Sequence, residues 1–237
     1  MEGVFFLFRK YLRWQIIIPV FLVLALIGGW GYNYYQREIK VVPDELISRA
    51  LADTNKVSSY RFHVEAYLIN GGKKIPLSSI DGERTNESDL HLKGQMTGQD
   101  VEVYQVKDTT YFKDPISKRW MVTPGNNPLE QEKFMAELNP LSILNIVQIN
   151  DLQYLGRQKE MPGRPYLLTF NPRVNNRFLN SYWKDFSYKL WIEPGSNYIR
   201  RVHLEANHRK HPKDKLVMDV DFYDFNKRIK IELPEEE

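Results

Sequence analysis

Apolar and polar residues alternate along much of this sequence, and the alternation limits the chain to folds built on β-strands. In residues 60–69 every second side chain is apolar, and Arg61, His63 and Glu65 lie between these apolar positions. A period of two places the apolar side chains on one face, so this segment is predicted to be a half-buried strand. Similar segments follow at 75–85, 89–96, 101–106, 109–113, 119–122, 152–159, 166–170, 186–193, 198–207 and 215–225. The turn residues between them predict antiparallel neighbours.

Short helices are predicted between the groups of strands. Pro43 and Asp44 favour one helix start, and Asn127 with Glu130 three positions later favours another. After Pro172, apolar residues at four-residue spacing predict an amphipathic helix. About ten strands and three or four short helices indicate an α+β fold with a large antiparallel sheet. A sheet of that size tends to curl.

The segment 14–36 has no charged side chain, and its apolar part, 16–32, would form a helix roughly 25 Å long. Basic residues precede it and aromatic residues follow it, as in a membrane anchor with a cytoplasmic N-terminus. The basic residues are Arg9, Lys10 and Arg13, and the aromatic ones are Trp30, Tyr32, Tyr34 and Tyr35. The predicted fold is therefore an incomplete antiparallel β-barrel with short helices on its concave side, preceded by one transmembrane helix.

This interpretation divides the chain into a cytoplasmic N-terminus (1–13), a transmembrane signal anchor (14–36), a connector (37–43) and an extracytoplasmic domain (44–237). A cleaved leader is the main alternative, with Gly29-Trp30-Gly31 as the nearest cleavage site, but leaders have shorter apolar regions, of about 7 to 15 residues. A buried helix of a soluble protein is the other alternative. The chain has no cysteine, which excludes a lipid-modified cysteine, thiol chemistry and cysteine-based zinc sites.

The charge balance excludes a general nucleic-acid binder. The sequence has 33 basic and 30 acidic residues, and three of the basic ones precede the apolar run. The predicted outer domain is therefore nearly neutral, whereas nucleic-acid-binding domains carry a clustered basic excess. The outer domain also lacks phosphate-binding loops, dinucleotide turns and hydrolase motifs, so we expect neither a cofactor nor an enzyme.

Several segments resemble the LolA-like superfamily in their order and hydrophobic pattern. They are VSSYRFHVEA at 57–66, TTYFKDPISKRWMV at 109–122, NPLSILN at 139–145, YKLWIEPGSNYIRRVHLEA at 188–206 and FYDFNKRIKIELP at 222–234. The resemblance implies an incomplete antiparallel barrel closed on one side by helices, and in several members this cavity holds acyl chains or other lipids. Many relatives are bacterial envelope proteins with a cleaved leader or a lipidated cysteine, so an uncleaved membrane helix would distinguish this chain from a free carrier.

The candidate residues for a ligand cavity are the inward apolar positions of the last strands and the apolar face of the predicted amphipathic helix. On the strands they are Leu190, Ile192, Val202, Leu204, Leu216, Met218, Val220 and Phe222. On the helix they are Val174, Phe178, Leu179, Tyr182 and Trp183. The same pattern is also typical of an ordinary filled core, and the sequence does not separate the two.

Two sets of polar side chains could suggest metal binding or catalysis, but each has a simpler interpretation. His208 and His211 have the spacing of metal ligands, but they lie in a basic hairpin loop that is better suited to the anionic phosphates of a membrane surface. Asp219, Asp221 and Asp224 could suggest acid–base chemistry. The first two alternate with apolar residues, so they are predicted to lie on the outer face of the last hairpin.

The leading hypothesis is a single-pass protein of the bacterial cell membrane whose extracytoplasmic domain binds a lipid or acyl chain between sheet and helices. The alternative is a sensor or interaction module with a filled core that docks an envelope or cell-wall protein. An enzyme is the third and weakest hypothesis. The expected partners are thus the membrane, a lipid ligand or an envelope protein, and not a nucleic acid.

Overall fold

The computed structural model describes residues 18–32, 35, 41–85, 89–125 and 139–233. The chain divides into two compact units between Val42 and Pro43. In the first unit, residues 18–32 form helix α1, whose apolar side chains are exposed, including Phe21 and Trp30. Within the described ranges, no helix is both long and apolar enough to cross a membrane. Residues 14–17, 33, 34 and 36 of the predicted anchor lie outside those ranges.

The second unit contains eleven strands, two short α-helices and one 3-10 helix among its described residues. Helix α2 (Pro43–Thr54) precedes strands β1 (Tyr60–Asn70), β2 (Lys73–Arg84), β3 (Leu90–Met96), β4 (Gln99–Val106), β5 (Thr109–Lys113) and β6 (Trp120–Pro124). The 3-10 helix (Pro140–Leu144), β7 (Ile146–Arg157), β8 (Tyr166–Val174), helix α3 (Arg177–Tyr182), β9 (Trp183–Ile192), β10 (Ile199–His208) and β11 (Lys215–Tyr223) follow.

These strands form one antiparallel sheet in the order β6-β5-β4-β3-β2-β1-β11-β10-β9-β8-β7. The first and last long strands meet at its centre, where Val64 lies opposite Val220, and Val220 in turn lies opposite Val202. Strands β6 and β7 are the two edges, so the curled sheet stays open among the described residues. The predicted α+β class and the incomplete antiparallel barrel are confirmed.

One face of this sheet forms the core. On β1 the side chains of Phe62 and Val64 are fully buried, in agreement with the predicted alternation. Gly82 lies directly opposite Phe62 on β2, and a Cβ at this position would overlap the Phe62 ring. The missing side chain therefore lets the aromatic ring lie flat across the neighbouring strand.

Helix α2 and the 3-10 helix cover part of the core face. Helix α2 buries Leu46, Ile47 and Ala50 and contacts β7 and β10. Ion pairs occupy the other face of β10, so α2 lies over the apolar face. At its end, the Thr54 hydroxyl accepts a hydrogen bond from the backbone N–H of Ile199 at 2.9 Å.

The predicted amphipathic helix after Pro172 is wrong in its extent. Val174 is the last residue of β8 and Trp183 is the first residue of β9, so only α3 between them is helical. Val174 pairs with Ile146 of β7 and Trp183 pairs with His208 of β10, so both flanking residues belong to the sheet. The N-cap of this short helix is Asn176, whose side chain accepts a hydrogen bond from the Leu179 N–H at 2.9 Å. The helix predicted from Asn127 lies outside the described residues.

Candidate functional site

The structure brings the eight strand candidates for a ligand cavity together on the core face. Neighbouring strands place Leu190 opposite Val202 and Val202 opposite Val220. All eight side chains are between 0 and 4% exposed. They are Leu190, Ile192, Val202, Leu204, Leu216, Met218, Val220 and Phe222. Side chains without accessible surface contact other atoms on every side, so the interior is closed around them.

The five candidates predicted on a helix do not stay together. Val174 and Leu179 are buried, but Phe178 is 41% exposed and Tyr182 is 52% exposed. Trp183 is half-buried, and its ring meets the edge of the His208 ring at 5.1 Å. The physical reason is the length of α3, because a helix of six residues buries only one of its side chains. Phe178 and Tyr182 therefore face solvent, and their role in ligand binding stays a prediction.

A polar cleft of about 300 Å³ lies where the end of α2, the start of β1 and the 3-10 helix meet. Arg84, Thr85 and Asn55 line it together with Tyr60, a core residue whose ring contacts Phe62. Burial raises the pKa of Tyr60 to about 12, so its hydroxyl stays protonated. The cleft thus joins the apolar core to polar donors. It was not predicted, because its residues come from segments far apart in sequence and carry no shared motif.

Tyr188 fastens the 3-10 helix to the core face. Its side chain is fully buried, and its hydroxyl donates a hydrogen bond to the Ile143 carbonyl at 3.0 Å. Burial raises the pKa of Tyr188, so the hydroxyl keeps its proton at physiological pH. This contact determines how closely the 3-10 helix lies against β9.

Ion pairs cover the opposite face of the sheet. Arg201 forms two hydrogen bonds to Asp221, at 2.5 and 2.7 Å, and His203 Nδ1 lies 2.8 Å from Asp219 Oδ1. Arg61 contacts Asp224 at 2.9 Å. The predicted position of Asp219 and Asp221 on the outer face is confirmed, and each of these carboxylates has a basic partner. A carboxylate that is paired in this way is poorly placed to act as a general base.

The H-x-x-H pair closes a turn. His208 Nδ1 accepts hydrogen bonds from the backbone N–H groups of Lys210 and His211, at 3.1 and 3.0 Å, and the two imidazole rings stack at 5.1 Å. The described residues contain no group of three histidine or carboxylate side chains that could hold a metal ion. The spacing that resembled metal ligands is therefore explained by local turn geometry.

Comparison with known proteins found matches among solved structures only. No protein-family profile matches this sequence, and no curated protein matches it either. The fold is similar to that of LprF from Mycobacterium bovis, with a TM-score of 0.54, 14% identity, and coverage of 80% of this chain and 95% of LprF. It is also similar to that of the lipoprotein LppX from Mycobacterium tuberculosis, with a TM-score of 0.51, 14% identity, and coverage of 81% of this chain and 100% of LppX. The chain has a LolA-like fold, as its sequence predicted.

Proposed function

We propose that this protein is a membrane-anchored extracytoplasmic protein without catalytic activity that binds a lipid or acyl chain between the core face and its covering helices. The observation that carries the proposal is the continuous apolar face formed by β8–β11 and β1, which adjoins a polar cleft at Tyr60. Each CH₂ group transferred from water to such a surface contributes about 0.8 kcal/mol. The LolA-like resemblance, which implies lipid in this position, supports the same function.

Binding would require the covering helices to move. The core face is closed in this structure, whereas α2 is a short helix that buries only four of its residues. A ligand would therefore enter by displacing α2 or the 3-10 helix, with its acyl chain against the sheet. Its polar headgroup would lie in the cleft beside Arg84.

The anchor in this proposal is the N-terminal segment. The apolar side chains of α1 are exposed along its length, and exposed apolar helices of this kind are stable in a bilayer rather than in water. The basic residues before the segment predict a cytoplasmic N-terminus, so in this proposal the second unit would lie outside the cell. The similarity to a lipoprotein also supports an envelope location.

Photo-crosslinking in membranes tests the proposal with the full chain. Cells that express the protein are fed a photoactivatable, clickable fatty acid, and the crosslinked peptides are identified by mass spectrometry after irradiation. We expect label on peptides of β9–β11 and α2 as well as on residues 14–36. Label on residues 14–36 alone would show contact with the bilayer without an internal ligand, and the proposal would fail.

Replacement of two alanines of α2 by leucine, one at a time, provides a test with a matched control. Ala50 is fully buried against the sheet, whereas Ala52 is exposed on the same helix. Ala50→Leu adds volume between helix and sheet, where the acyl chain would lie, so it should reduce the label on the strands. Ala52→Leu adds the same volume on the solvent side and should leave the labelling unchanged.

A protein-docking module with a filled core is the second candidate function. It is favoured by the nearly complete burial of the eight strand candidates for a ligand cavity. In that case the outer surface would dock an envelope protein, and the interior would never open. Crosslinking in native membranes would then recover one protein partner, and the strands would carry no fatty-acid label.

A further inference from the structure

One end of the sheet combines three exposed features. Helix α3 and the β10–β11 turn are neighbours there, because His208 pairs with Trp183. The β1–β2 turn lies at the same end, because Ile69 pairs with Lys215. We call this surface, formed by α3 and by residues 71–74, 184, 185 and 209–214, the basic end.

The basic end carries an excess of positive charge. Its lysines and arginines come from α3, from the starts of β2 and β9 and from the β10–β11 turn, and most of them are exposed. They are Lys73, Lys74, Arg177, Lys184, Arg209, Lys210 and Lys213. Only Asp185 and Asp214 oppose them within the same surface. Because the second unit is nearly neutral as a whole, this charge is a local concentration and not a property of the entire domain.

Two exposed aromatic side chains lie beside this charge. The rings of Phe178 and Tyr182 are 5.5 Å apart on the solvent side of α3. The Arg209 N–H donates to the Tyr182 carbonyl at 2.8 Å, and its Nε donates to the Asn180 carbonyl at 2.6 Å. These bonds fix the aromatic pair next to the basic turn, so the two features form one surface.

A cleft of about 290 Å³ opens at the same place. Arg173, Lys184 and Arg209 line it, and Asp185 is the one acidic residue among its lining side chains. Lys184 Nζ lies 3.7 Å from Asp185 Oδ2, so the positive charge of Lys184 is partly neutralised. Two guanidinium groups still face the cleft, and guanidinium groups bind phosphate oxygens in a bidentate manner.

We propose that the basic end docks on the surface of an anionic lipid bilayer. Tyr182 and Phe178 would enter the interfacial layer, where aromatic rings are favoured, while Lys210, Lys213 and Arg209 contact lipid phosphates. A soluble acidic protein would explain the charge, but it would not explain why an aromatic pair stays exposed beside it. Docking of this surface does not require a lipid in the core.

Tethering makes a weak contact of this kind effective. In the proposed function, the connector 37–43 links the second unit to the membrane, and an extended connector of this length spans about 25 Å at most. A surface held so near the bilayer meets it at a high effective concentration. The basic end would then hold the domain in one orientation on the membrane.

A fluorescent probe on α3 tests this inference in the full chain. The chain has no cysteine, so Ser181→Cys, which is at an exposed position of α3, gives a single site for an environment-sensitive dye. The labelled protein is reconstituted into vesicles of phosphatidylcholine, with or without phosphatidylglycerol. We expect a blue shift and quenching by spin-labelled lipids in the anionic vesicles, and loss of both at high salt.

Charge substitutions at the two ends of the sheet provide the control. Lys210→Gln with Lys213→Gln should reduce the ratio of docked to undocked protein by about fivefold per residue. Lys56→Gln with Lys107→Gln removes the same charge from exposed positions at the other end of the sheet and should change nothing. Equal signals in neutral and anionic vesicles, or equal effects of the two double substitutions, would overturn the inference. Fatty-acid labelling of the core strands is unaffected by either result, so this test is independent of the proposed function.

Discussion

At the scale of single residues, the hydroxyl of Tyr188 is the polar contact that fastens the 3-10 helix to the core face. Tyr188→Phe would leave the Ile143 carbonyl buried without this donor. Loss of one partner of a buried hydrogen bond costs about 1–2 kcal/mol. We therefore expect the free energy of unfolding, measured by denaturant titration, to fall by that amount.

An exposed tyrosine gives the control for this prediction. Tyr182→Phe removes the same atom from a side chain that is 52% exposed, so it should change the free energy of unfolding by less than about 0.5 kcal/mol. If the two substitutions had equal effects, the Tyr188 contact would contribute nothing specific to stability.

A second residue-scale prediction concerns the pH dependence of stability. The hydrogen bond to Asp219 raises the pKa of His203 against the opposing effect of its partial burial, and Glu205 adds to the increase. A raised pKa means that protonated His203 stabilises the folded state fully below about pH 6.5, the usual value for histidine. This stabilisation is lost as the pH rises through the higher pKa of the folded state. We expect the difference in unfolding free energy between wild type and His203→Gln to be larger at pH 6 than at pH 9.

The stabilisation by Asp219, the partner of His203, has the opposite dependence on pH. The hydrogen bond with His203 lowers the pKa of Asp219, so the stabilisation by Asp219 is present above about pH 4 and is lost on further acidification. In an Asp219→Asn background, the pH-dependent effect of His203→Gln should be smaller, and Glu205, whose Oε1 lies 3.2 Å from His203 Nε2, should account for the part that remains. An undiminished pH dependence in this background would show that Asp219 is not its main cause.

At the scale of secondary structure, the strands were predictable and the short helix α3 was not. The alternation in residues 60–69 reflects a single buried face, and it identified β1 almost to its ends. The four-residue spacing from Val174 to Tyr182 also fits a strand that ends, a short helix and a strand that begins. Periodicity in so few residues does not distinguish these cases, because the pairing of Val174 with β7 and of Trp183 with β10 decides which residues join the sheet.

The part of the candidate site on the strands was likewise predictable, and the part that depends on the covering helices was not. The inward positions of β9–β11 could be predicted because the period of two fixes the face of every side chain. The polar cleft at Arg84 could not be predicted, since it depends on where α2 and the 3-10 helix lie over the sheet. That placement depends on tertiary contacts such as Asn197 Nδ2 to Asp53 Oδ2, at 3.3 Å, which join residues far apart in sequence.

The contact between Asp53 and Asn197 leads to a prediction for α2 as a whole. Asp53→Cys with Asn197→Cys would join the end of α2 to the β9–β10 turn in a chain that otherwise has no thiol. If α2 moves to admit a lipid, the oxidised protein should lose most of its fatty-acid label on the strands, and reduction should restore it. The measurement is the photo-crosslinking assay, with thiol titration to confirm the disulfide.

The single substitution Asp53→Cys serves as the control for the disulfide. It removes the same carboxylate but cannot form the bond, so its labelling should not respond to oxidant. Unchanged labelling in the oxidised double variant would show that α2 stays in place during binding, and entry would then involve the 3-10 helix instead.

At the scale of the whole molecule, an exposed apolar helix precedes a domain with a largely closed core. In the proposed function the domain is fixed to its membrane, and a domain fixed in this way cannot carry a ligand across an envelope by diffusion. It is better suited to local handover, sensing or assembly at one membrane. The basic end fits this arrangement, because it offers the domain a second contact with the same surface.

The orientation of the chain in the membrane is the prediction that joins these features. Residues 1–13 are expected on the cytoplasmic side because Arg9 and Lys10 precede the apolar run, and the turn at Ser117 is expected outside the cell. Single variants Glu2→Cys and Ser117→Cys are treated in intact cells with a membrane-impermeant maleimide. Ser117→Cys should react at once and Glu2→Cys only after the cells are permeabilised. Reaction of both without permeabilisation would contradict a cytoplasmic N-terminus, and a purified chain that begins directly after Gly31 would identify the N-terminal segment as a cleaved leader.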